Sequence, residues 1–178
     1  MLFGTPTKLP DGRYFLKATD VFHQINGVKF SLSADDQVTL GIPEGVNLFS
    51  EIDDAIIAQA KASKVEWFGK EIADETVDTA YQKSVNPERE LSATLAKSKG
   101  KVLTTFYDTE KNVVAPKDIQ DRVVDIMIEL AGLVFTKRAF EPVWRVVQVR
   151  VKAPPKVRFP KDYLFTDDPV EEEEELDL

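Results

Sequence analysis

VVDIMIELAGLVFTKRAFEPVWRVVQVRVK, residues Val123 to Lys152, is the stretch that decides the fold. Its first part, Val123 to Thr136, is a long apolar run rich in Val and Ile, residues that suit the pleated surface of a sheet. A connector from Lys137 to Pro142 follows. The last part, Val143 to Lys152, alternates almost strictly. Val143, Arg145, Val147, Val149 and Val151 share one parity; Trp144, Val146, Gln148, Arg150 and Lys152 share the other. A period of two predicts a strand with one buried face. By parity the Val-rich face is the core face, and Trp144 stands on the polar face with Gln148, Arg150 and Lys152. Gly132, inside the first strand, predicts a bulge or bend.

Working outward, the rest of the chain is also mostly strand-like. Arg13 to Thr19, Gly27 to Leu32 and Asp36 to Ile42 hold β-branched and aromatic residues between turn signals. Pro10-Asp11-Gly12 and Asn26-Gly27 read as the turns. A helix is predicted from a Ser50 cap through Ser63, with Asp53 in its first turn and a weak apolar face through Ile52 and Ile56. Lys64 to Gly69 alternates like a strand. Residues 74 to 99 are polar, with Pro87 as a break, and read as a long excursion holding a short helix near Glu75 to Gln82. Lys101 to Asp108 is a further strand, closed by a turn over Asp108 to Asn112. The strand count, one main helix and the absence of repeated βα units predict a small barrel or sandwich.

Charge is unevenly placed. The chain has 31 acidic and 23 basic side chains, a formal net of -8. Thr166 to Leu178 alone carries eight carboxylates and no base. Between Lys137 and Lys161 there are eight bases against the single acid Glu141. A basic strip therefore runs into an acidic tail, an asymmetry read as an interaction tail beside a nucleic-acid surface. The expected organisation is one binding domain over residues 1–165 and an acidic, disordered tail over 166–178.

Catalytic signals are weak. The chain has no cysteine and one histidine, His23. Thiolate sites, disulfides and histidine zinc sites are thereby excluded. No phosphate-binding glycine loop or nucleophile motif occurs. Asp118, Asp121 and Asp125 would share a face only on a helix, and a solvated face is the preferred reading over a metal site. The expectation is no enzyme and no cofactor. No apolar run approaches the roughly 20 residues of a membrane span, and no signal pattern opens the chain, so an intracellular, non-secreted protein is expected.

Single strands of nucleic acid are held by a basic groove along the phosphates and by aromatic rings under the bases. The strip interleaves both. Lys137, Arg138, Arg145, Arg150, Lys152, Lys156 and Arg158 are the candidate phosphate contacts, with Lys101 in addition. Phe140, Trp144, Phe106, Tyr107 and Trp67 are the candidate stacking rings. The tail residues Glu171, Glu172, Glu173, Glu174, Glu175 and Asp177 can occupy the same groove as a polyanion mimic, and Leu176 and Leu178 supply apolar anchors for a partner protein.

The stretch Ile128 to Lys152 resembles the last two barrel strands of phage-type and large-DNA-virus replicative single-stranded-DNA-binding proteins. The features that carry the resemblance are Gly132, Lys137 with Phe140, Trp144 and Lys152, together with the acidic tail. The resemblance implies a mainly β, OB-type five-stranded barrel with one or two helices. It implies sequence-independent binding of single-stranded DNA in replication, recombination or repair. It also implies a tail that contacts replication proteins such as a polymerase or helicase, with self-association into a homo-oligomer left open. A protein-interaction or virion structural module without nucleic-acid binding is the competing reading.

Overall fold

The computed structural model describes residues 1–152, 159 and 162–166. Five strands come first: β1 (Leu2–Phe3), β2 (Thr7–Lys8), β3 (Tyr14–Thr19), β4 (His23–Leu32) and β5 (Gln37–Gly41). Three helices follow, α1 (Leu48–Ala62), α2 (Lys64–Phe68) and α3 (Asp74–Ala80). Then come β6 (Glu90–Leu95), the small hairpin β7 (Lys97–Ser98) and β8 (Lys101–Val102), and β9 (Thr105–Tyr107). A 3-10 turn at Pro116–Ile119 leads into β10 (Val123–Phe135) and β11 (Phe140–Val151).

Five of these strands close a ring. β4 pairs with β5, β5 with β6, β6 with β11, β11 with β10, and β10 back with β4. Every pairing in the ring is antiparallel except β6 with β11. This is the mainly β, OB-type barrel expected from the sequence, with three α-helices among the described residues instead of one or two. The core is the barrel interior: Val28, Phe30, Leu40, Leu91, Ile126, Ile128 and Val146 are all buried. The helical segment between β5 and β6 packs Phe49, Ile52, Ile56 and Ala60 against it.

Local chemistry explains where the elements depart from the periodicity. Asn26-Gly27 is not a turn. It lies inside β4, where Val124 pairs Val28 but Ile126 pairs Ile25, so β4 carries one residue more than β10. Gly27 takes φ 72°, the left-handed conformation such a bulge needs. Residues 20–22 join β3 to β4 without reversing the chain, since both strands pair antiparallel with β10, one after the other along it. There the Asp20 carboxylate accepts the Leu130 N–H and lies 2.8 Å from His23 Nε2. Lys64 to Gly69 is not a strand: five of these residues form α2. A short alternating run fits either period, and Trp67 decides it by packing edge-on against Phe3 and Phe135 at 5.1 and 6.1 Å. The helix α1 opens at Leu48, before Ser50, with Asn47 at the cap position. The polar excursion at 74–99 contains α3 near its expected place and also β6, a barrel strand whose Leu91, Ala93 and Leu95 point inward.

β10 is bent as Gly132 suggested. Leu130 pairs Trp144 and Gly132 pairs Val143, so Ala131 is the extra residue of a bulge. Beyond it β10 pairs with β3, Gly132 facing Lys17. A Cβ at Gly132 would drive into the Leu16 carbonyl oxygen and the Phe15 ring, so the close approach of these two backbones requires glycine.

Candidate nucleic-acid interface

The decisive local feature is a bulge in β11. Met127 pairs Gln148, and the next residue of β10, Ile128, pairs Val146, leaving Val147 without a partner on β10. The bulge falls where the other neighbour of β11 changes. Val146 is the last residue paired with β6, and Gln148 the first paired with β9. Thr104 fills the junction: its buried hydroxyl donates to the Val146 carbonyl at 2.7 Å and accepts the Ala96 N–H at 2.8 Å.

Because one residue is inserted, the two halves of β11 bury opposite parities. Phe140, Trp144 and Val146 are buried before the bulge; Val149 is buried after it. Arg145 and Arg150, which a regular strand would place on opposite faces, therefore both reach the outer surface. A bulge re-aims side chains in this way.

On that outer surface the β10–β11 hairpin carries a ladder of rows. Arg145 is paired with Glu129 through Nε and Nη2. Gln148 stands beside Met127, which stands beside Gln24 of β4. Arg150 donates from Nε to Asp125 Oδ2 at 3.0 Å. The Asp125 carboxylate also accepts the Gly27 N–H at 3.1 Å, tying the β4 bulge to the same row. Lys152 follows, its Nζ 3.9 Å from where a Gly27 Cβ would stand. A hollow of about 580 Å³ lies over these rows. Its far wall is the turn after β9, with Tyr107 and Lys111. Asp108 shapes that turn by accepting the N–H groups of Glu110 and Asn112 at 2.8 and 2.9 Å. The Asn112 N–H above all holds its carboxyl below the usual carboxylate range. Lys111 takes φ 65° at the tip.

A second hollow of about 340 Å³ adjoins Arg145, lined by Gln37, Thr94, Lys97 and Ala131. Lys97 is paired there with Asp36. Among the described residues no ion pair engages Lys111, Lys137, Arg138 or Lys152.

The structure thus brings together Tyr107, Arg145, Arg150 and Lys152 of the sequence-predicted contacts. Lys137 and Arg138 lie exposed in the turn between β10 and β11, at the opposite end of β11 from Lys152. Lys101 is exposed on the β7–β8 hairpin. Lys156, Arg158 and the tail residues Glu171 to Leu178 lie outside the described residues. Lys111, Gln24 and Met127 carried no signal in the sequence, because each is an isolated residue that only the sheet register carries to the trough.

Four of the five predicted stacking rings are corrected. Trp144 is 1% exposed, Phe140 1%, Phe106 3% and Trp67 7%. Phe140 stacks on Phe135 with ring centres 5.3 Å apart, and Phe106 meets Phe30 edge-on. Trp144 packs edge-on against Phe49 at 5.1 Å and donates its indole N–H to the Ser84 hydroxyl at 2.9 Å. That hydroxyl and the Tyr81 phenol each donate to the buried Asp53 carboxylate at 2.6 Å. Burial, with the bond to Asp53, pushes the Tyr81 phenol well above its ordinary value. Trp144 is therefore the bolt between the barrel and the helical segment, and Tyr107 is the one ring of the five at the outer surface.

The chain belongs to the family of unknown function DUF5871, whose model matches residues 26–167. No curated protein matches it. Among solved structures it is similar to the single-stranded DNA-binding protein from bacteriophage Enc34, at 14% identity and TM-score 0.48, covering 85% of this chain and 89% of that one. The same phage protein in complex with ssDNA matches at 13% identity and TM-score 0.43, covering 84% of this chain and 95% of that one.

Proposed function

We propose that the outer face of the β10–β11 hairpin holds single-stranded DNA without sequence preference. The observation that carries this reading is the Val147 bulge, which turns Arg145, Gln148 and Arg150 onto one face. The trough there has a cationic end and one half-buried ring, Tyr107, the combination that single-strand binding uses. Among the described residues Arg150 offers only its Nε to Asp125, so its other N–H groups can meet phosphate. Lys111 closes the opposite wall. Lys137 and Arg138 extend the cationic line along the hairpin, and a role in replication, recombination or repair belongs to the same proposal.

The acidic stretch Asp167 to Asp177 is the second part of the proposal. It follows the trough strand in the sequence and carries all of the chain's net negative charge. It would compete with phosphate for the same cations and offer Leu176 and Leu178 to a partner protein when displaced. Fluorescence anisotropy with a labelled thymidine oligomer tests both parts. Binding should weaken with salt at a log-log slope of about -3 to -4, since each phosphate contact releases about 0.7 counterions from a single strand. Removal of residues 166–178 should tighten binding, most at low salt where charges are least screened. A flat salt response would remove the trough model; equal affinity with and without the tail would remove the competition.

A further inference from the structure

Between its two rows of paired arginine and carboxylate the trough has an uncharged floor. Gln24, Met127 and Gln148 stand side by side on β4, β10 and β11, paired in register across three adjacent strands. The row with Arg150 lies on one side of them, and the row of Arg145 with Glu129 on the other. Gln24 and Gln148 are exposed, and Met127 is half-buried between them. The Gln24 amide donates to Asn26 Oδ1 at 2.9 Å, which orients it; among the described residues its carbonyl oxygen takes no hydrogen bond. A phosphate has no reason to settle on this row. A carboxamide holds both a donor and an acceptor, so it can meet the edge of any unpaired base, and a methionine offers a soft, polarisable surface to an aromatic plane.

We infer that the row Gln24–Met127–Gln148 is a base-reading floor: a single strand lies along the hairpin with phosphates on the flanking cations and an unpaired base turned onto these three side chains. This deepens the single-strand reading and rests on it. It also places base contact on the β4–β10–β11 face, away from β5 and β6. Sequence tolerance follows from the dual character of the amides, and rejection of duplex follows because paired bases keep their edges occupied.

The experiment compares two probes of equal length on the full chain: a thymidine oligomer and the corresponding abasic oligomer, which keeps the phosphates and lacks the bases. The wild-type protein should prefer the thymidine strand. Gln24→Ala and Gln148→Ala should each cut that preference about fivefold, the value of one hydrogen bond, while affinity for the abasic strand stays unchanged. Lys152→Ala should weaken both probes alike. Thermal melting of each variant confirms that the exposed substitutions leave the fold intact. If both glutamine variants keep the wild-type preference, or weaken both probes equally, the floor does not read bases and the inference falls while the trough stands. If the wild-type protein binds neither probe, the single-strand reading itself falls.

Discussion

The two halves of β11 are spelled almost alike and do opposite things. In the first, residues 140 to 146, Phe140, Trp144 and Val146 are buried and Arg145 looks outward; in the second, Val149 is buried and Gln148 and Arg150 look outward. Both halves alternate, and nothing in the alternation marks the change. One unpaired residue, Val147, separates them. The lesson is that period two identifies a strand and the pair of sets it divides into, but a face is continuous only as far as the register is unbroken.

Deletion breaks this comparison most severely. Removing Val149 should invert the downstream half, sending Arg150 inward and Val151 out, and should abolish cooperative unfolding in a denaturant titration. Removing Val147 joins two halves whose faces already agree, so it should leave a folded protein that still binds. Comparable damage from both deletions would show that the bulge is not where the parity changes.

The next effect in size concerns Trp144. Its removal takes away a large buried side chain and orphans the Ser84–Asp53 network, so Trp144→Ala should destabilise by about 3–5 kcal/mol, measured by chemical denaturation. A protein that kept its stability and lost only DNA affinity would put Trp144 back on the outer face.

How much of this was legible follows from which signals are local. The strands β3 and β5 announced themselves by β-branched and aromatic residues near turn signals, β10 by its Val/Ile-rich apolar run and β11 by alternation, and the bend at Gly132 by the glycine. β6 did not, because its inward residues Leu91, Ala93 and Leu95 lie in a polar, lysine-rich context. The basic strip named Arg145, Arg150 and Lys152, which the structure places along one outer surface, yet the parity argument that gave Trp144 to the same face counted through Val147. Gln24, Met127 and Lys111 come from three separate segments and meet only through pairing across the sheet, information that no single stretch holds.

The smallest effect tests the wall of the trough. The Asp108 carboxyl is held below its ordinary value by the Asn112 N–H first. A depressed folded value means that its contribution is complete above the unfolded value near 3.8 and is lost as pH falls through the folded one. The Lys111 turn should therefore stay ordered at neutral pH and loosen only in acid below about 4, seen as faster amide exchange at Glu110 and Asn112. Loosening already at pH 6 would mean that Asp108 does not hold the turn.

The central claim is that the cations gathered by the β11 bulge and the β9 turn form the single-strand site. Salt dependence of thymidine-oligomer binding measures it directly, comparing two triple variants of equal charge. In Lys111→Ala/Arg150→Ala/Lys152→Ala the log-log slope should become shallower by about 2, three contacts at about 0.7 counterions each. In Lys8→Ala/Lys70→Ala/Lys83→Ala, whose cations lie on β2, after α2 and after α3, the slope should keep its wild-type value. Equal loss of slope in the two would mean that net charge alone, and not this trough, holds the strand.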